Sequence, residues 1–166
     1  MTTTLPLTIR AALKADLPDV LRLYAQPALD DGRVIALDEA ERIFDRMARY
    51  PEYRVYVAEL DGQVIGTFAL LVMDNLGHLG TCSGIVEDVA VDPSYQGQGV
   101  GTAMMAHAMD LCRKHGCYKV LISSNFKRPK AHAFYESLGF ERHGYSFRLM
   151  LEQPPDATSE ARRKVE

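Results

Sequence analysis

Apolar residues follow two different patterns along the chain, and together these predict a mixed α/β fold. Strand-like runs lie at residues 7–12, 53–60, 63–73, 84–92, 117–124 and 144–151. Helical spacing predicts helices from about residue 17 and over residues 37–49, 101–115 and 129–138. The order is therefore β-α-α-β-β-β-α-β-α-β. Because a helix separates the strands at 84–92 and 117–124, we expect those two strands to be joined by a parallel crossover.

The composition fits one ordinary globular domain and reduces the number of function classes to consider. The formal net charge of -3 over 166 residues argues against binding nucleic acid through bulk electrostatics. No apolar run approaches the ~20 residues that cross a bilayer, and no signal peptide is recognisable. Three cysteines without metal-ligand spacing favour reduced thiols in a cytoplasmic protein. We expect one domain over residues 1–152, a flexible tail over 153–166, and no metal site.

A glycine-rich turn between the fourth strand and the third helix is the main candidate binding site. Residues 96–102 read Gln-Gly-Gln-Gly-Val-Gly-Thr. Glycines let the backbone take positive φ and approach a bulky anion, while the first N–H groups of the helix have no partner within it. Such a turn can bind phosphates without a lysine. The P-loop and dinucleotide-binding spacings are both absent, and a helix entry without any ligand is the alternative.

Two segments, in order, resemble the GNAT acetyltransferase superfamily. The pattern Gln96-x-x-Gly99-x-Gly101 is similar to the core motif of that superfamily, and residues 125–140 are similar to its C-terminal motif. The resemblance implies a central, mostly antiparallel sheet with helices on both faces. It also implies that a parallel pair of strands is splayed apart at the cofactor site, and that acetyl-CoA is the co-substrate.

The same resemblance implies which residues contact the cofactor. The strand before the turn would carry a bulge and offer backbone groups to the pantetheine arm from Val89, Ala90 and Val91. The pyrophosphate would be held by Gln96, Gly97, Gln98, Gly99, Val100, Gly101 and Thr102. Asn125 follows the partner strand, where a polar side chain can reach the cofactor. Lys130 belongs to a basic cluster at residues 127–130, which would meet the 3′-phosphate or a phosphorylated substrate. A solvated charged loop is the alternative for this cluster.

Acetyl transfer to an amine requires a neutral amine, a stabilised oxyanion and a proton for the departing thiolate. The resemblance makes Tyr135 the acid, and a phenol pKa of about 10 keeps it protonated at neutral pH. A tyrosine that only packs in the core is the alternative. Glu87 is the candidate base, and simple strand alternation places it on the face of Val89 and Val91, with Asp88 on the opposite face. A structural carboxylate is the alternative for Glu87.

Two further resemblances indicate a small anionic primary amine as the acceptor. Residues 84–101 closely resemble the glucosamine-6-phosphate acetyltransferases, in which the glutamate at the position of Glu87 sits near the amine. Residues 123–149 are similar to the aminoalkylphosphonate acetyltransferases. The polar residues of the N-terminal region that could face an acceptor are Tyr24, Asp30, Asp31 and Arg33, with surface-loop positions as the alternative.

Functions of other classes remain open from the sequence. A non-catalytic acetyl-CoA-binding regulatory module would keep the turn at residues 96–102 but would need neither an acid nor a base. A protein or peptide N-acetyltransferase would present an open groove to its acceptor. Homodimers are common among the enzymes that this sequence resembles. The last strand or the C-terminal segment could pair across an interface, although no motif demands it.

Overall fold

A five-stranded sheet forms the centre of the protein. The computed structural model describes residues 7–151. The strands lie side by side in chain order: β1 (Leu7–Ala11), β2 (Tyr53–Leu60), β3 (Gln63–Met73), β4 (Ser83–Val91) and β5 (Val120–Ile122). Neighbours from β1 to β4 are antiparallel, and β4 and β5 are parallel. This topology confirms the predicted fold class.

Four helices cover the two faces of the sheet: α1 (Leu17–Tyr24), α2 (Leu37–Met47), α3 (Val100–Lys114) and α4 (Pro129–Ser137). The apolar sides of α3 and α4 pack on one face, and those of α1 and α2 pack on the other. Each face thereby has its own core, since a helix buries one apolar stripe. Among residues 7–151, no helix combines the length and the apolar character needed to cross a bilayer.

The two parallel strands separate soon after they meet. Pairing between β4 and β5 runs only from Gly84 opposite Val120 to Val86 opposite Ile122. Beyond that point β5 ends, while β4 continues to Val91. The backbone of residues 87–91 therefore has β3 on one side and no strand on the other. The sheet opens into a gap at this end, which we call the β4–β5 gap.

A bulge at Asp88 interrupts β4 at the start of this gap. The register with β3 shifts, because Ala90 lies opposite Thr67 whereas Glu87 lies opposite Ala69. Asp88 has a φ of 53°, in the left-handed region that aspartate adopts more readily than most residues. One extra residue is thus inserted into β4, as in other β-bulges.

The bulge changes which face each side chain of β4 occupies. Val86, Val89 and Val91 all pack with the core under α3 and α4, whereas Ala90 packs with the core under α1 and α2. Because neighbouring residues of a strand alternate, Glu87 follows Val86 onto the α1–α2 face. The predicted alternation, with Glu87 on the face of Val89 and Val91, is wrong. A pattern of period two cannot anticipate an inserted residue.

The predicted last strand, over residues 144–151, is also wrong. These residues form neither helix nor strand, and every one of them is exposed. The strand predicted at 117–124 is shortened to β5 as well. A strand is stable only when its backbone groups pair with a neighbour, and residues 144–151 have none beside them. The tail predicted at residues 153–166 lies outside the described residues.

Candidate functional site

The glycine-rich turn presents a cluster of free backbone N–H groups at the start of α3. Gly97 and Gly99 have φ values of 75° and 86°, which glycine adopts without strain. The first helical hydrogen bond runs from the N–H of Ala103 to the carbonyl of Gly99. The N–H groups of residues 100–102 therefore have no acceptor within the helix, and no side chain caps them. With the positive end of the helix dipole, they form a site suited to phosphates.

Three glutamine side chains tie this turn to its surroundings. Gln98 donates a hydrogen bond of 2.9 Å to the carbonyl of Ser94. Gln96 donates one of 3.1 Å to the carbonyl of Val91, and Gln26, which follows α1, donates another of 3.1 Å to the same carbonyl. The side chains of Gln96 and Gln98 are thus used to shape the turn, and its backbone is left to face a ligand. The sequence offered no motif that would have singled out Gln26.

The β4–β5 gap exposes backbone groups of alternate β4 residues. The N–H of Asp92 bonds to the carbonyl of Ile65 in β3, so the ladder turns Ala90 towards β3 and Val89 and Val91 towards the gap. The Val91 carbonyl already accepts hydrogen bonds from the side chains of Gln26 and Gln96. The Val91 N–H and both backbone groups of Val89 remain for an extended ligand. Val89, Ala90 and Val91 were predicted to contact a cofactor. The backbone groups of Ala90 face β3 and therefore point away from the β4–β5 gap.

Tyr135 lies on α4, which packs against the start of α3. A Cβ built on Gly101 would be 3.1 Å from the ring of Phe134, so the two helices approach closely beside the glycine turn. Tyr135 is 9% exposed, and its ring lies between those of Phe134 and Phe140, at centroid distances of 5.2 and 5.9 Å. Burial raises the pKa of Tyr135, and nearby Arg128 opposes this only in part. The phenol is therefore protonated at neutral pH and can donate a hydrogen bond.

Asn125 and Ser124 follow β5 where the gap opens. The side-chain oxygen of Asn125 accepts the N–H of Lys127 at 2.9 Å, and its carbonyl contacts the ring of His132 at 2.9 Å. Asn125 thus shapes the loop before α4, and its amide NH₂ is the part left for a ligand. The Ser124 hydroxyl oxygen is buried and has no hydrogen-bond partner among residues 7–151. Such an orphaned polar atom is costly unless a ligand or water satisfies it.

The predicted basic cluster borders a depression at the start of α4. Lys130 lines this space, of about 330 Å³, together with the other residues of 127–131. Lys130 is exposed. The geometry is compatible with an anion contact at the edge of the site, and equally with a solvated loop.

Two neighbouring carboxylates lie on the α1–α2 side of β4. Glu87 and Asp88 both reach solvent, yet partial burial raises the pKa of each. The charge of Asp88 raises the pKa of Glu87 further, and that of Asp30 does the same to Asp88. Burial, and then the charge of Asp88, raise the pKa of Tyr24. Burial, and then the charges of Asp88 and Glu87, also raise the pKa of Tyr53. A cluster of acidic and phenolic groups therefore forms beside the gap.

The sequence analysis predicted some residues of this cluster and missed others. Tyr24 and Asp30 were candidates to face an acceptor, and both lie near Asp88. Asp31 and Arg33 are exposed, and the Arg33 guanidinium bonds back to the Asp30 carbonyl at 3.1 Å. Asp88 was missed as a candidate because the unbroken alternation assigned it no role. The available signal was the pair of consecutive acidic residues in a central strand.

Two of the histidines, His107 and His132, contact neighbouring groups of the fold. His107, on α3, packs against Tyr56 at 5.6 Å, and burial lowers its pKa. His132 contacts the Asn125 carbonyl. Over residues 7–151, no three His, Cys, Asp or Glu side chains come together as potential metal ligands.

Comparisons with known proteins identify the family of this chain. Residues 17–140 match the model of the acetyltransferase (GNAT) family. The chain is 32% identical over 152 residues to a glucosamine 6-phosphate N-acetyltransferase of Trypanosoma brucei brucei, covering 91% of this chain and 100% of the relative. It is 29% identical over 101 residues to an aminoalkylphosphonate N-acetyltransferase of Salmonella typhimurium, covering 61% and 65%. A solved putative acetyltransferase from Agrobacterium tumefaciens superposes with a TM-score of 0.81 at 30% identity, covering 87% and 99%.

Proposed function

Because this chain belongs to the acetyltransferase (GNAT) family, we propose that it transfers the acetyl group of acetyl-CoA to the primary amine of a small metabolite. One observation carries the proposal: an uncapped helix start faces a gap between parallel strands, with a buried phenol and two carboxylates close by. A non-catalytic binding module would require only the first of these features.

The donor side is built mainly from backbone. The N–H groups of residues 100–102, with those of the preceding glycines, would hold the pyrophosphate. Val89 and Val91 would pair with the amide groups of the pantetheine arm, as a neighbouring strand would. The Ser124 hydroxyl, which has no partner of its own among the described residues, and the Asn125 amide are polar groups that fit a bound cofactor. Lys130 is proposed to meet the 3′-phosphate.

The acceptor amine must lose its proton before it can attack. A lysine-like amine with a pKa of about 10.4 costs roughly 4–5 kcal/mol to deprotonate at pH 7. Glu87 is proposed to accept this proton directly or through a water molecule, and its raised pKa makes it a better base than an ordinary glutamate. Asp88 is the second candidate, because its strained backbone holds a carboxylate beside Glu87.

Tyr135 is proposed to protonate the departing thiolate or to hydrogen bond to its sulfur. Packing between Phe134 and Phe140 fixes the ring, and burial keeps the phenol protonated. A positioned phenol can donate its proton as the carbon–sulfur bond breaks, while the amine nitrogen becomes the amide. The products are then the N-acetylated amine and free coenzyme A.

The acceptor is proposed to be a small anionic amine, such as an amino sugar phosphate or an aminoalkylphosphonate. The names of both relatives describe acceptors with an amine at one end and a phosphorus-centred anion at the other. The carboxylates at Glu87 and Asp88 fit the amine end, since they attract a cation and can take its proton. A protein tail is the less favoured acceptor.

A thiol-release assay with acetyl-CoA tests the proposal. The amine panel contains amino sugars and their 6-phosphates, aminoalkylphosphonates, polyamines, aminoglycosides and peptides. We expect release of free thiol with at least one small anionic amine, and none with the same compound already N-acetylated. Tight binding of acetyl-CoA without turnover on any amine would favour the binding module, and turnover on peptides alone would favour the protein acetyltransferase. The cytoplasmic location remains a prediction that cell fractionation can test.

A further inference from the structure

Two cysteines that are 35 positions apart in the chain meet where β4 and β5 begin. Sγ of Cys82, directly before β4, lies 3.3 Å from Sγ of Cys117, three residues before β5. The same Cys82 sulfur is 3.4 Å from the carbonyl oxygen of His115. Both cysteines are free thiols. The proposed acetyl transfer uses neither sulfur.

Backbone hydrogen bonds hold the two cysteines side by side. The N–H of Tyr118 donates to the carbonyl of Cys82 at 3.0 Å, which extends the ladder between β4 and β5 towards the starts of both strands. At the end of α3, the N–H of Cys117 donates to the carbonyl of Cys112 at 2.9 Å. The sulfurs need to approach by about 1.2 Å to reach the S–S distance of a disulfide, and rotation of the two side chains can supply this.

The pair lies near the surface, where a small molecule can reach it. Cys82 and Cys117 are half-buried, and residues 113–116 beside them are exposed. The third cysteine, Cys112, is 2% exposed and packs within the core. Burial raises the pKa of Cys112 and raises that of Cys117 to about 12. Because the thiolate is the reacting form of cysteine, both are disfavoured as the first nucleophile, which leaves Cys82.

We propose that Cys82 and Cys117 form a modification site, a dithiol that small disulfides such as oxidised glutathione convert reversibly into an intramolecular disulfide. The Cys82 thiol loses its proton and attacks one sulfur of the small disulfide, whose S–S bond breaks, and one small thiol leaves with that proton. The Cys117 thiol then loses its proton and attacks the Cys82 sulfur, the mixed S–S bond breaks, and the second small thiol leaves. The two cysteines are together oxidised by two electrons, and the small disulfide is reduced to two thiols.

This disulfide closes a loop that contains the whole parallel crossover. Residues 83–116 comprise β4, the glycine turn and α3. A link between distant positions stabilises a fold mainly by restricting the unfolded chain. Since β4 and β5 pair over only three residues each, the link also reinforces a short ladder. Five residues of strand, about 16 Å, separate Cys82 from Glu87, so the link lies at the end of β4 away from the β4–β5 gap.

Mass spectrometry and peptide mapping without reduction test the site in the full, unchanged chain. After incubation with oxidised glutathione, we expect the protein to lose the mass of two hydrogens and to yield a peptide pair that joins Cys82 to Cys117. Cys112 should still be alkylated once the protein is unfolded. A disulfide that includes Cys112, glutathione retained on Cys82 without a link to Cys117, or three unreacted thiols each overturn the proposal.

Thermal unfolding measures what the link does to the fold. Oxidation should raise the Tm of the unchanged protein by about 4–16 °C, and a reductant should reverse the rise. Cys82→Ser and Cys117→Ser should each show no rise. The matched control is Cys112→Ala, which removes the third cysteine and should show a rise of the same size, whatever its starting Tm. A linked protein without the rise, or a rise that persists in Cys82→Ser, overturns the stabilising effect of the disulfide.

Discussion

Replacing Gly99 with valine should abolish acetyl-CoA binding while the protein remains folded. Gly99 has a φ of 86° and caps the start of α3. A Cβ built there meets no atom within 4 Å, so no clash with the protein accompanies the change. The added side chain would instead occupy the open space beside the free N–H groups, and the strained backbone would turn those groups away from a common anion.

The structure supplies a matched control at Gly62, in the β2–β3 hairpin turn. Gly62 has a φ of 78°, and its Cβ would likewise meet nothing within 4 Å. A side chain in the left-handed region costs about 1–2 kcal/mol, so Gly62→Val and Gly99→Val should lose similar stability. For a chain of this size, that corresponds to a fall in Tm of about 2–8 °C in each variant.

The two variants should differ sharply in cofactor affinity. A hydrogen bond to a charged group contributes about 1.5–3 kcal/mol, so losing two from the turn costs about 3–6 kcal/mol. This equals at least a hundredfold rise in Kd. Isothermal titration with acetyl-CoA measures the Kd, and thermal unfolding measures the Tm. Equal affinity in the Gly99 and Gly62 variants would refute the assignment of the turn to the pyrophosphate, whatever the stability of either.

The remaining predictions concern the acid, the carboxylates and the core. Tyr135→Phe should lower kcat in the thiol-release assay with little change in acetyl-CoA affinity, and unchanged turnover would remove Tyr135 from the acid role. We expect the activity of the unchanged protein to fall as the pH drops through the raised pKa of the base. The remaining activity of Glu87→Gln should lack this pH dependence; if that of Asp88→Asn lacks it instead, Asp88 is the base. Since its folded pKa is raised, Asp88 favours folding most at low pH, so Asp88→Asn should raise the Tm at pH 7.5 and lose this advantage near pH 4. Gly84→Ala should cost about 1–3 kcal/mol in unfolding experiments, because its Cβ would overlap the Cys112 sulfur, and in a double-mutant cycle Cys112→Ala should recover part of that loss.

The glycine turn could be predicted from the sequence because its proposed function needs a contiguous stretch of backbone. Free N–H groups at a helix start depend on which residues can take positive φ, and Gly97 and Gly99 do so at the positions the spacing indicated. The crossover from β4 through α3 to β5 was predictable for a similar reason, since helix and strand periodicities are local. The position of Tyr135 followed from a motif, and its role remains a prediction.

The errors at Asp88 and over residues 144–151 share a physical cause, which is that each depends on a partner strand. The bulge at Asp88 exists only relative to the register of β3, so the spacing of residues within β4 could not reveal it. Residues 144–151 have the pattern of a strand, but whether they form one depends on an edge to pair with. In both cases the local sequence was interpreted correctly as β-like, and the missing information was nonlocal.

The acceptor side of the site differs from the donor side in how it is built. The proposed donor contacts come from adjacent residues of one strand and one turn, and they are mostly backbone groups. The acidic cluster joins Glu87 and Asp88 on β4 to Tyr24 at the end of α1 and Asp30 in the following loop. Side chains from separate elements can be replaced without altering the turn or the gap. Changes around Tyr24 and Asp30 should therefore alter which amine is acetylated and leave the affinity for acetyl-CoA unchanged, so a single fold of this kind can serve different acceptors.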